Sequence, residues 1–253
     1  MIATNIAARL INMSPPSILP HLVSSFFSSF APVSLPQADA FLLSLSKPSP
    51  VDVIPICLLK GCHSSFAVLL TKLANISFAT GKFPDIYKVS QISPLLKKPS
   101  LDPSDLTSYC PISNLRTNQI TNLGKLLDRL VQLQLRPHLL SAPAFSPYQS
   151  AYRPSYSTET AGLFISNHLF HASSPSPSLL VSLDLSSAFD CISHSILLDR
   201  LSSDFGLSGV SLSWLHSYLT NRSQYVMWNG DKSSTTSVSM GVPQGSVLGP
   251  LLF

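Results

Sequence analysis

The feature that most constrains this chain is an apolar run that ends abruptly at a carboxylate. Residues 178–184 read Ser-Leu-Leu-Val-Ser-Leu-Asp. The run is too short for a core helix and rich enough in branched residues to be a buried strand. Two serines then supply turn and helix-capping chemistry, and an amphipathic helical pattern follows through Arg200. The sequence therefore predicts that Asp184 lies at the carboxyl end of a strand, where ligands and metals sit in α/β sheets, with Phe189 placed to overhang it.

The bulk composition limits the class of protein. With 253 residues and 45% apolar content, the chain has enough material for one large domain or two small ones with a real core. It holds 21 prolines, but its mean hydropathy of +0.28 and its regular apolar periodicity exclude a disordered chain. The net charge is +4, and from Lys82 to Arg136 eight Lys and Arg stand against four Asp, so this stretch carries all of it. Such a basic stretch is compatible with a nucleic-acid partner.

Cysteine usage and hydropathy indicate the compartment. The cysteines form no CxxC pair and no dense cluster, which favours isolated reduced thiols over a zinc site or a disulfide framework (Cys57, Cys62, Cys110 and Cys191). No run approaches the roughly 18 apolar residues of a membrane span. The N-terminus carries Arg9 but breaks at Pro15 and Pro16, which makes a poor signal peptide. The sequence predicts a soluble intracellular protein, nuclear or cytoplasmic.

Apolar spacing and turn residues predict the order of helices and strands. Residues 1–34 carry no clear signal, although Phe26, Phe27 and Phe30 could either dock on the body or form one amphipathic turn. The patterns then predict helices over 35–45, 56–60 and 66–78 (the last ending at Gly81), a hairpin of 87–98 with 109–113, a helix over 119–140, a helix over 157–168, and a Ser/Pro linker over 171–178. After the apolar run they predict a helix over 211–219, a hairpin turning at Asn229-Gly230, and a tight loop over 241–245 entering a helix capped by Ser246.

The helix over 119–140 carries a basic stripe. Lys125, Arg129, Gln132 and Arg136 recur at i, i+4, i+7 and i+11, opposite the apolar face. This stripe could track the phosphates of a nucleic acid, which would make its three cations binding residues. It could equally be an ordinary solvated helix face.

Three sequence blocks, taken in their order and spacing, carry a family resemblance. They are Pro-Leu-Leu-Lys-Lys-Pro over 94–99 with Tyr-Cys-Pro-Ile-Ser over 109–113, Asp-Leu-Ser-Ser-Ala-Phe-Asp over 184–190 with His194, and Gly-Val-Pro-Gln-Gly-Ser-Val-Leu-Gly-Pro-Leu-Leu-Phe over 241–253. Gln-Ser-Ala-Tyr-Arg over 149–153 and Ser-Thr-Glu-Thr-Ala over 157–161 lie between them. Together they resemble the reverse transcriptase domain of non-LTR (LINE-type) retrotransposons. The resemblance covers residues 30–253 and is closest to the animal elements in which an endonuclease precedes this domain.

The resemblance implies an architecture and a reaction. The fold class is α+β, the fingers and partial palm of a right-hand polymerase, with a small antiparallel sheet backed by helices and a helical N-terminal leader. The implied division is an uncertain extension over 1–34 and a reverse transcriptase domain over 35–253, with leader and fingers over 35–172 and an incomplete palm over 173–253. The family is an RNA-directed DNA polymerase whose partners are an RNA template, a DNA primer and a dNTP, with no membrane. The oligomeric state is not indicated.

The aspartate block implies the metal chemistry. Asp184 matches the first metal-binding aspartate, the catalytic residue that holds Mg²⁺ for in-line attack of a primer 3′-hydroxyl on an incoming nucleotide. Phe189 matches the aromatic residue that stacks under the deoxyribose and rejects a 2′-hydroxyl, although plain core packing is the alternative. Asp190 is expected to cap or pair locally instead of binding metal.

The other blocks imply nucleotide contacts. Gln244 and Gly245 match the loop that lies against the incoming nucleotide and the template base; the alternative is a loop that only satisfies its own backbone. Lys97 or Lys98 matches the fingers lysine that neutralises triphosphate charge, although both could be solvated edge-strand charges that discourage aggregation. Arg153 matches a fingers arginine that contacts phosphate or nucleic acid.

Two departures from the family pattern bear on activity. The aromatic-Ala-Asp-Asp block that should follow Phe253 does not occur in the chain, and neither does a thumb. Cys110 stands where the family usually has Arg, and a neutral thiol cannot make a charge-assisted phosphate contact; Ala151 for Gly is a milder change. We expect a truncated copy, inactive as these 253 residues. The alternatives are a non-catalytic relic that binds RNA weakly, or an interaction module that uses an uncovered apolar surface.

Overall fold

A computed structural model describes residues 23, 25–45, 55–114, 121–173, 177–185, 188–243 and 245–253. Its helices are α1 (Leu35–Ser44), α2 (Ile56–Gly61), α3 (His63–Thr80), α4 (Thr121–Ser141), α5 (Thr158–Ala172), α6 (His194–Ser203), α7 (Gly209–Leu219) and α8 (Gly249–Leu252). Its strands are β1 (Val89–Leu96), β2 (Tyr109–Asn114), β3 (Arg222–Trp228), β4 (Asp231–Lys232) and β5 (Thr236–Val238). The α+β class is confirmed. No helix in the described part of the chain is long and apolar enough to cross a membrane.

Helix ends lie where the capping residues predict them. The hydroxyl of Ser157 accepts a hydrogen bond from the Thr160 amide, and the Thr160 hydroxyl accepts one from the Ser157 amide, which is a capping box at the start of α5. Gly81 ends α3 with a φ of 63°. Glycine is favoured in that left-handed conformation because it has no Cβ to clash with the neighbouring carbonyl.

The sheet is mixed. β1 pairs antiparallel with β2, as the hairpin pattern predicts, and parallel with β3 through the register Val89↔Ser223. The expected purely antiparallel sheet is therefore corrected, because β1 and β3 are joined by a long helical connection and not by a hairpin. β3 also pairs antiparallel with β4 and β5. The predicted turn is confirmed: Asn229 (φ 49°) and Gly230 (φ 92°) both have the positive φ of a type I′ hairpin turn.

The hydrophobic core includes residues of α1, α3, α4 and α7, and an aromatic cluster lies within it. Phe83 makes edge contacts with Trp214 and Tyr218 at ring-centroid distances of 5.5 and 5.0 Å, and these two rings stack on each other at 5.4 Å. Phe30 joins the cluster at 5.7 Å from Trp214. The Trp214 indole N–H donates to the Ser77 hydroxyl at 2.8 Å, so the one polar atom of this buried ring is satisfied.

The phenylalanines before α1 follow the docking alternative. Phe30 is buried, and Phe27 packs against the core through a short bridge to Leu207. The bridge is held by the Phe27 amide, which donates to the Gly206 carbonyl at 3.0 Å. Phe26 is exposed. The alternation places two of the three rings on the body and one in solvent.

The predicted strand over 178–184 is wrong. Residues 177–185 pair with no strand in the described chain, and their apolar side chains are exposed, Leu183 by 88%. The two serines predicted to cap the next helix, Ser186 and Ser187, lie outside the described residues, and the helix described after them, α6, begins at His194. An apolar run indicates side chains that favour burial, but it does not show whether a neighbouring strand is present for them to pack against. The helix predicted after Ser246 begins at Gly249, whose amide donates to the Ser246 hydroxyl at 2.9 Å.

Two buried charged side chains lie at the edge of the aromatic core. The Arg222 Nε donates to the Tyr218 carbonyl at 2.6 Å, and the guanidinium lies over the rings of Tyr218 (4.4 Å) and Phe83 (5.5 Å). The Tyr218 hydroxyl donates to the Asp128 carboxylate at 3.4 Å. Burial raises the pKa of Asp128 to about 7, although Arg222, Tyr218 and Lys125 each act to lower it. The Asp128 carboxylate therefore becomes protonated as the pH falls through about 7.

This carboxyl group should make stability depend on pH. Its pKa is about 7 in the folded state and near 4 when unfolded, so the folded state holds a proton that the unfolded state releases. The free energy of unfolding should therefore fall as pH rises from 4 to 7, by up to roughly 4 kcal/mol from this group. Asp128→Asn should remove that part of the slope in urea unfolding measured from pH 4.5 to 8. Asp199→Asn, at an exposed carboxylate, is the control and should leave the slope as in the wild type. Equal slopes in wild type and Asp128→Asn would contradict the assignment.

Candidate functional site

Residues 188–194, which we call the Phe-Asp turn, and residues 241–246, which we call the glycine loop, are in direct contact. The Gly241 amide donates to the Ile192 carbonyl at 2.7 Å, and the Val242 amide donates to the Phe189 carbonyl at 2.8 Å. The His194 Nε2 lies 2.7 Å from the Gly241 carbonyl, which can only accept, so Nε2 carries the proton. Two sequence blocks about fifty residues apart are thereby joined through backbone hydrogen bonds and one histidine.

Gly241 is required by this contact. Its φ is 82°, and a Cβ at this position would lie 2.8 Å from both the Asp190 Cα and the Phe189 carbonyl oxygen. These are backbone atoms, which cannot rotate away. Gly245 also has a positive φ, 86°. Backbone geometry is therefore a sufficient reason for both glycines, whatever else the loop does.

Phe189 is partly buried and packs against the core. Its ring centroid lies 4.8 Å from that of Phe253, at the end of α8. The packing alternative thus accounts for at least one side of the ring. Gln244, which was predicted to contact the nucleotide, lies outside the described residues.

Asp184 is exposed within the segment 177–185. Among the described residues, no group of three or more His, Cys, Asp or Glu side chains is placed to hold a metal ion. Phosphoryl transfer by two metal ions needs several carboxylates around a pair of cations roughly 3.5–4 Å apart. No such group surrounds Asp184 among the described residues, and its role as a metal ligand stays a prediction. Asp190, which lies on the Phe-Asp turn, is exposed as well.

The two lysines that were predicted to lie in the fingers follow β1 in the β1–β2 hairpin. The Lys97 ammonium donates to the Thr107 carbonyl at 2.9 Å, and Lys98 follows it in the turn. Hydrogen bonds from Thr107, with a smaller contribution from the Lys97 charge, lower the pKa of Asp105. Both lysines are exposed, so their charge can be reached from solvent.

Two predicted nucleic-acid arginines hold a loop of their own chain. The Arg153 guanidinium lies 4.5 Å from the centroid of the Tyr156 ring and donates to the Pro147 carbonyl at 3.0 Å. Arg136 donates to the Tyr152 carbonyl at 2.7 Å. Since Tyr152 has a φ of 58°, this loop is stabilised against local backbone strain by the two arginines.

The basic stripe of α4 is only partly solvated. Lys125, Arg129 and Arg136 are half-buried, and Gln132 donates to the Val247 carbonyl at 3.2 Å. The stripe therefore includes packing contacts as well as charge. The binding role of Lys125, Arg129 and Arg136 stays a prediction.

Asp128 is the residue that the sequence interpretation missed. In the sequence analysis it is only one of the four Asp counted between Lys82 and Arg136, yet it is 1% exposed. A signal was available, because Gly124, Asp128, Val131 and Leu135 recur at helical spacing and all four are buried. An aspartate on the buried face of a helix predicts that its carboxylate has a buried polar partner.

Comparisons with known proteins establish the family. Residues 96–253, more than half of the chain, match the family described as reverse transcriptase (RNA-dependent DNA polymerase). The chain belongs to this family.

Individual relatives indicate the kind of reverse transcriptase. The chain is 29% identical over 185 residues (73% of its length) to the RNA-directed DNA polymerase from mobile element jockey of Drosophila melanogaster. It is 28% identical over 212 residues (83%) to the probable RNA-directed DNA polymerase from transposon BS of the same organism, and 30% identical over 185 residues to the jockey polymerase of Drosophila funebris. The resemblance to non-LTR retrotransposon reverse transcriptases is confirmed. The chain spans about a fifth of the length of these curated relatives, 19–22%.

The join between turn and loop gives a direct stability test. Gly241→Ala should destabilise the protein more than Gly230→Ala. Both alanines are forced to positive φ, at roughly 1–2 kcal/mol, but only the Cβ at 241 meets backbone, since nothing lies within 4 Å at Gly230. Thermal or urea unfolding measures the difference. Equal destabilisation by the two substitutions would mean that the loop is not held against the Phe-Asp turn.

Proposed function

We propose that this chain forms the template- and nucleotide-binding part of an RNA-directed DNA polymerase. The observation that carries the proposal is the glycine loop held on the Phe-Asp turn by His194 and two backbone hydrogen bonds. These are the two blocks that the family resemblance assigns to the nucleotide. Their direct contact is what a nucleotide pocket built from both requires. The partners are an RNA template, a DNA primer and a dNTP.

The loop and turn have distinct proposed roles. Gln244 and Gly245 lie against the incoming nucleotide, and Phe189 contacts its sugar. Asp184 would supply one carboxylate ligand for Mg²⁺, an ion that would offer Lewis-acid stabilisation of phosphate charge when bound. Asp184 lies six residues before Asp190 of the Phe-Asp turn in the sequence.

The proposed role of the lysine and arginine side chains is to bind the phosphates of the nucleotide and the nucleic acid. Lys97 and Lys98 lie exposed at the end of a hairpin, where ammonium groups neutralise phosphate charge. Arg153 and the stripe of Lys125, Arg129 and Arg136 extend the basic surface. Both Arg136 and Arg153 already donate to a carbonyl, so they act here by charge and by holding their loop in place.

Catalysis is not expected from the described residues alone. A single exposed carboxylate cannot hold two cations, so primer extension on an RNA template with Mg²⁺ should give no product from these 253 residues. The measurement is a gel of labelled primer over several hours. Extension that Asp184→Ala abolishes, and that Asp199→Ala leaves intact, would overturn this expectation.

RNA binding is expected even without catalysis. Retention of a labelled single-stranded RNA should fall with salt, and replacing Lys97 and Lys98 together by Ala should reduce the slope of log K against log salt by about 1.4. Replacing Lys60 and Lys72, on α2 and α3, removes equal charge and should leave the slope unchanged. If both double variants behave like the wild type, the hairpin lysines are only solvated charges.

A further inference from the structure

An aromatic pair lies on one face of the sheet, at the end where the parallel strands β1 and β3 both stop. The rings of Tyr109 on β2 and Trp228 on β3 meet edge to face, with their centroids 5.5 Å apart and their planes at 89°. The Tyr109 hydroxyl donates to the Pro103 carbonyl at 2.9 Å, which fixes the position of its ring. Trp228 remains 47% exposed. The pair therefore presents an indole ring of fixed orientation to solvent.

This pair lies on the same face of the sheet as the glycine loop. Side chains alternate between the two faces of a strand, so Gln224 and Trp228 share a face. Gln224 lines a cleft of about 230 Å³ together with Ile92 of β1 and residues 241–243 of the glycine loop. Four residues of β3 separate Gln224 from Trp228, which is about 13 Å at roughly 3.3 Å per residue. A strand of nucleotides that leaves the glycine loop along β3 would therefore reach Trp228.

The charges beside the pair are placed to bind a phosphate backbone. Lys97 and Lys98 directly follow the β1 residue that is paired with Tyr109, and both lysines are exposed. The same turn contains Asp102 and Asp105, each of which accepts two hydrogen bonds, from the amide and the hydroxyl of the residue two positions later. Those carboxylates therefore hold the turn, while β4 adds one charge of each sign. The two ammonium groups remain within reach of a phosphate next to the rings.

We infer that Trp228 is a stacking site for an unpaired base of a single-stranded RNA, with Tyr109 holding the indole in orientation. Every base has a π-face, so an exposed aromatic ring binds single strands with little sequence preference. Bases within a duplex are already stacked on each other and offer no free face. The inference rests on the proposed function, because it names the residue that would contact the template strand leading to the glycine loop.

Core packing does not explain this ring. The chain has two tryptophans, and the other one, Trp214, is fully buried, with its indole N–H donating to the Ser77 hydroxyl at 2.8 Å. A single exposed apolar side chain needs no explanation. However, a tryptophan that is oriented by a second ring and flanked by lysines combines the two features that bind single strands. Lysine is depleted at protein–protein interfaces, which favours RNA over a protein as the partner.

Tryptophan fluorescence of the full chain tests the inference, because only Trp228 of the two tryptophans is exposed. A single-stranded RNA of twelve nucleotides should quench the emission. The quenching should disappear in Trp228→Phe, in which all remaining emission comes from the buried Trp214 and reports that the variant is folded. An abasic strand of the same length, which carries the phosphates without the bases, should cause no quenching.

The affinities of these two strands separate stacking from charge. Trp228→Ala should weaken binding of the RNA roughly 5- to 100-fold, the effect of losing one stacked base, and should leave binding of the abasic strand unchanged. Trp228→Phe keeps an aromatic ring and should retain most of the affinity for RNA. Phe170→Ala, which removes a ring that is 78% exposed on α5, is the matched control and should bind both strands as the wild type does.

Several outcomes would overturn the inference. They are the absence of quenching by RNA, an equal loss of affinity for both strands in Trp228→Ala, and a Trp228 emission that changes with protein concentration without RNA, which would indicate contact with a second protein chain. RNA that binds through Lys97 and Lys98 with no response from Trp228 would refute the inference alone. A Trp228 response in a chain whose glycine-loop amides do not shift on addition of dNTP would refute the proposed function and leave the stacking site intact.

Discussion

The close approach of Gly241 to the Phe-Asp turn is the constraint on which the candidate site depends. A backbone can come within 2.8 Å of the position that a Cβ would occupy only where no Cβ exists, and the φ of 82° makes the same demand. Once the two segments touch, the amides of Gly241 and Val242 find carbonyl acceptors on the turn, and His194 satisfies the Gly241 carbonyl. Two blocks distant in sequence thereby become one surface. The nucleotide-binding proposal needs that surface and little else.

The core beneath this surface is unusually polar for its position. Asp128 and Arg222 are both buried, and neither the second carboxylate oxygen nor the terminal guanidinium nitrogens have a hydrogen-bond partner among the described residues. Two opposite charges that share one tyrosine partly compensate each other, which explains why the pair can persist in an apolar setting. The arrangement costs stability, because each buried polar atom without a partner loses its hydration.

The sequence predicted local elements well and long-range partners poorly. The helix start at Ser157, the helix end at Gly81 and the Asn229-Gly230 turn depend on local chemistry, and all three are in the structure as predicted. The strand over 178–184 was wrong because a strand exists only beside a neighbour, which no pattern within seven residues can reveal. Asp128 was overlooked for the same reason, since its partners lie about ninety residues away. The contact between turn and loop could be suspected from the resemblance, but the role of His194 in it could not.

The protonation state of His194 tests most directly whether the turn and the loop form one unit. A long-range ¹H–¹⁵N correlation spectrum distinguishes a proton on Nε2 from one on Nδ1. The contact with the Gly241 carbonyl at 2.7 Å predicts the Nε2-protonated form, with a proton that exchanges slowly with water. A histidine that averages between its two neutral forms, or that is protonated on Nδ1 alone, would mean that the glycine loop does not rest on the Phe-Asp turn.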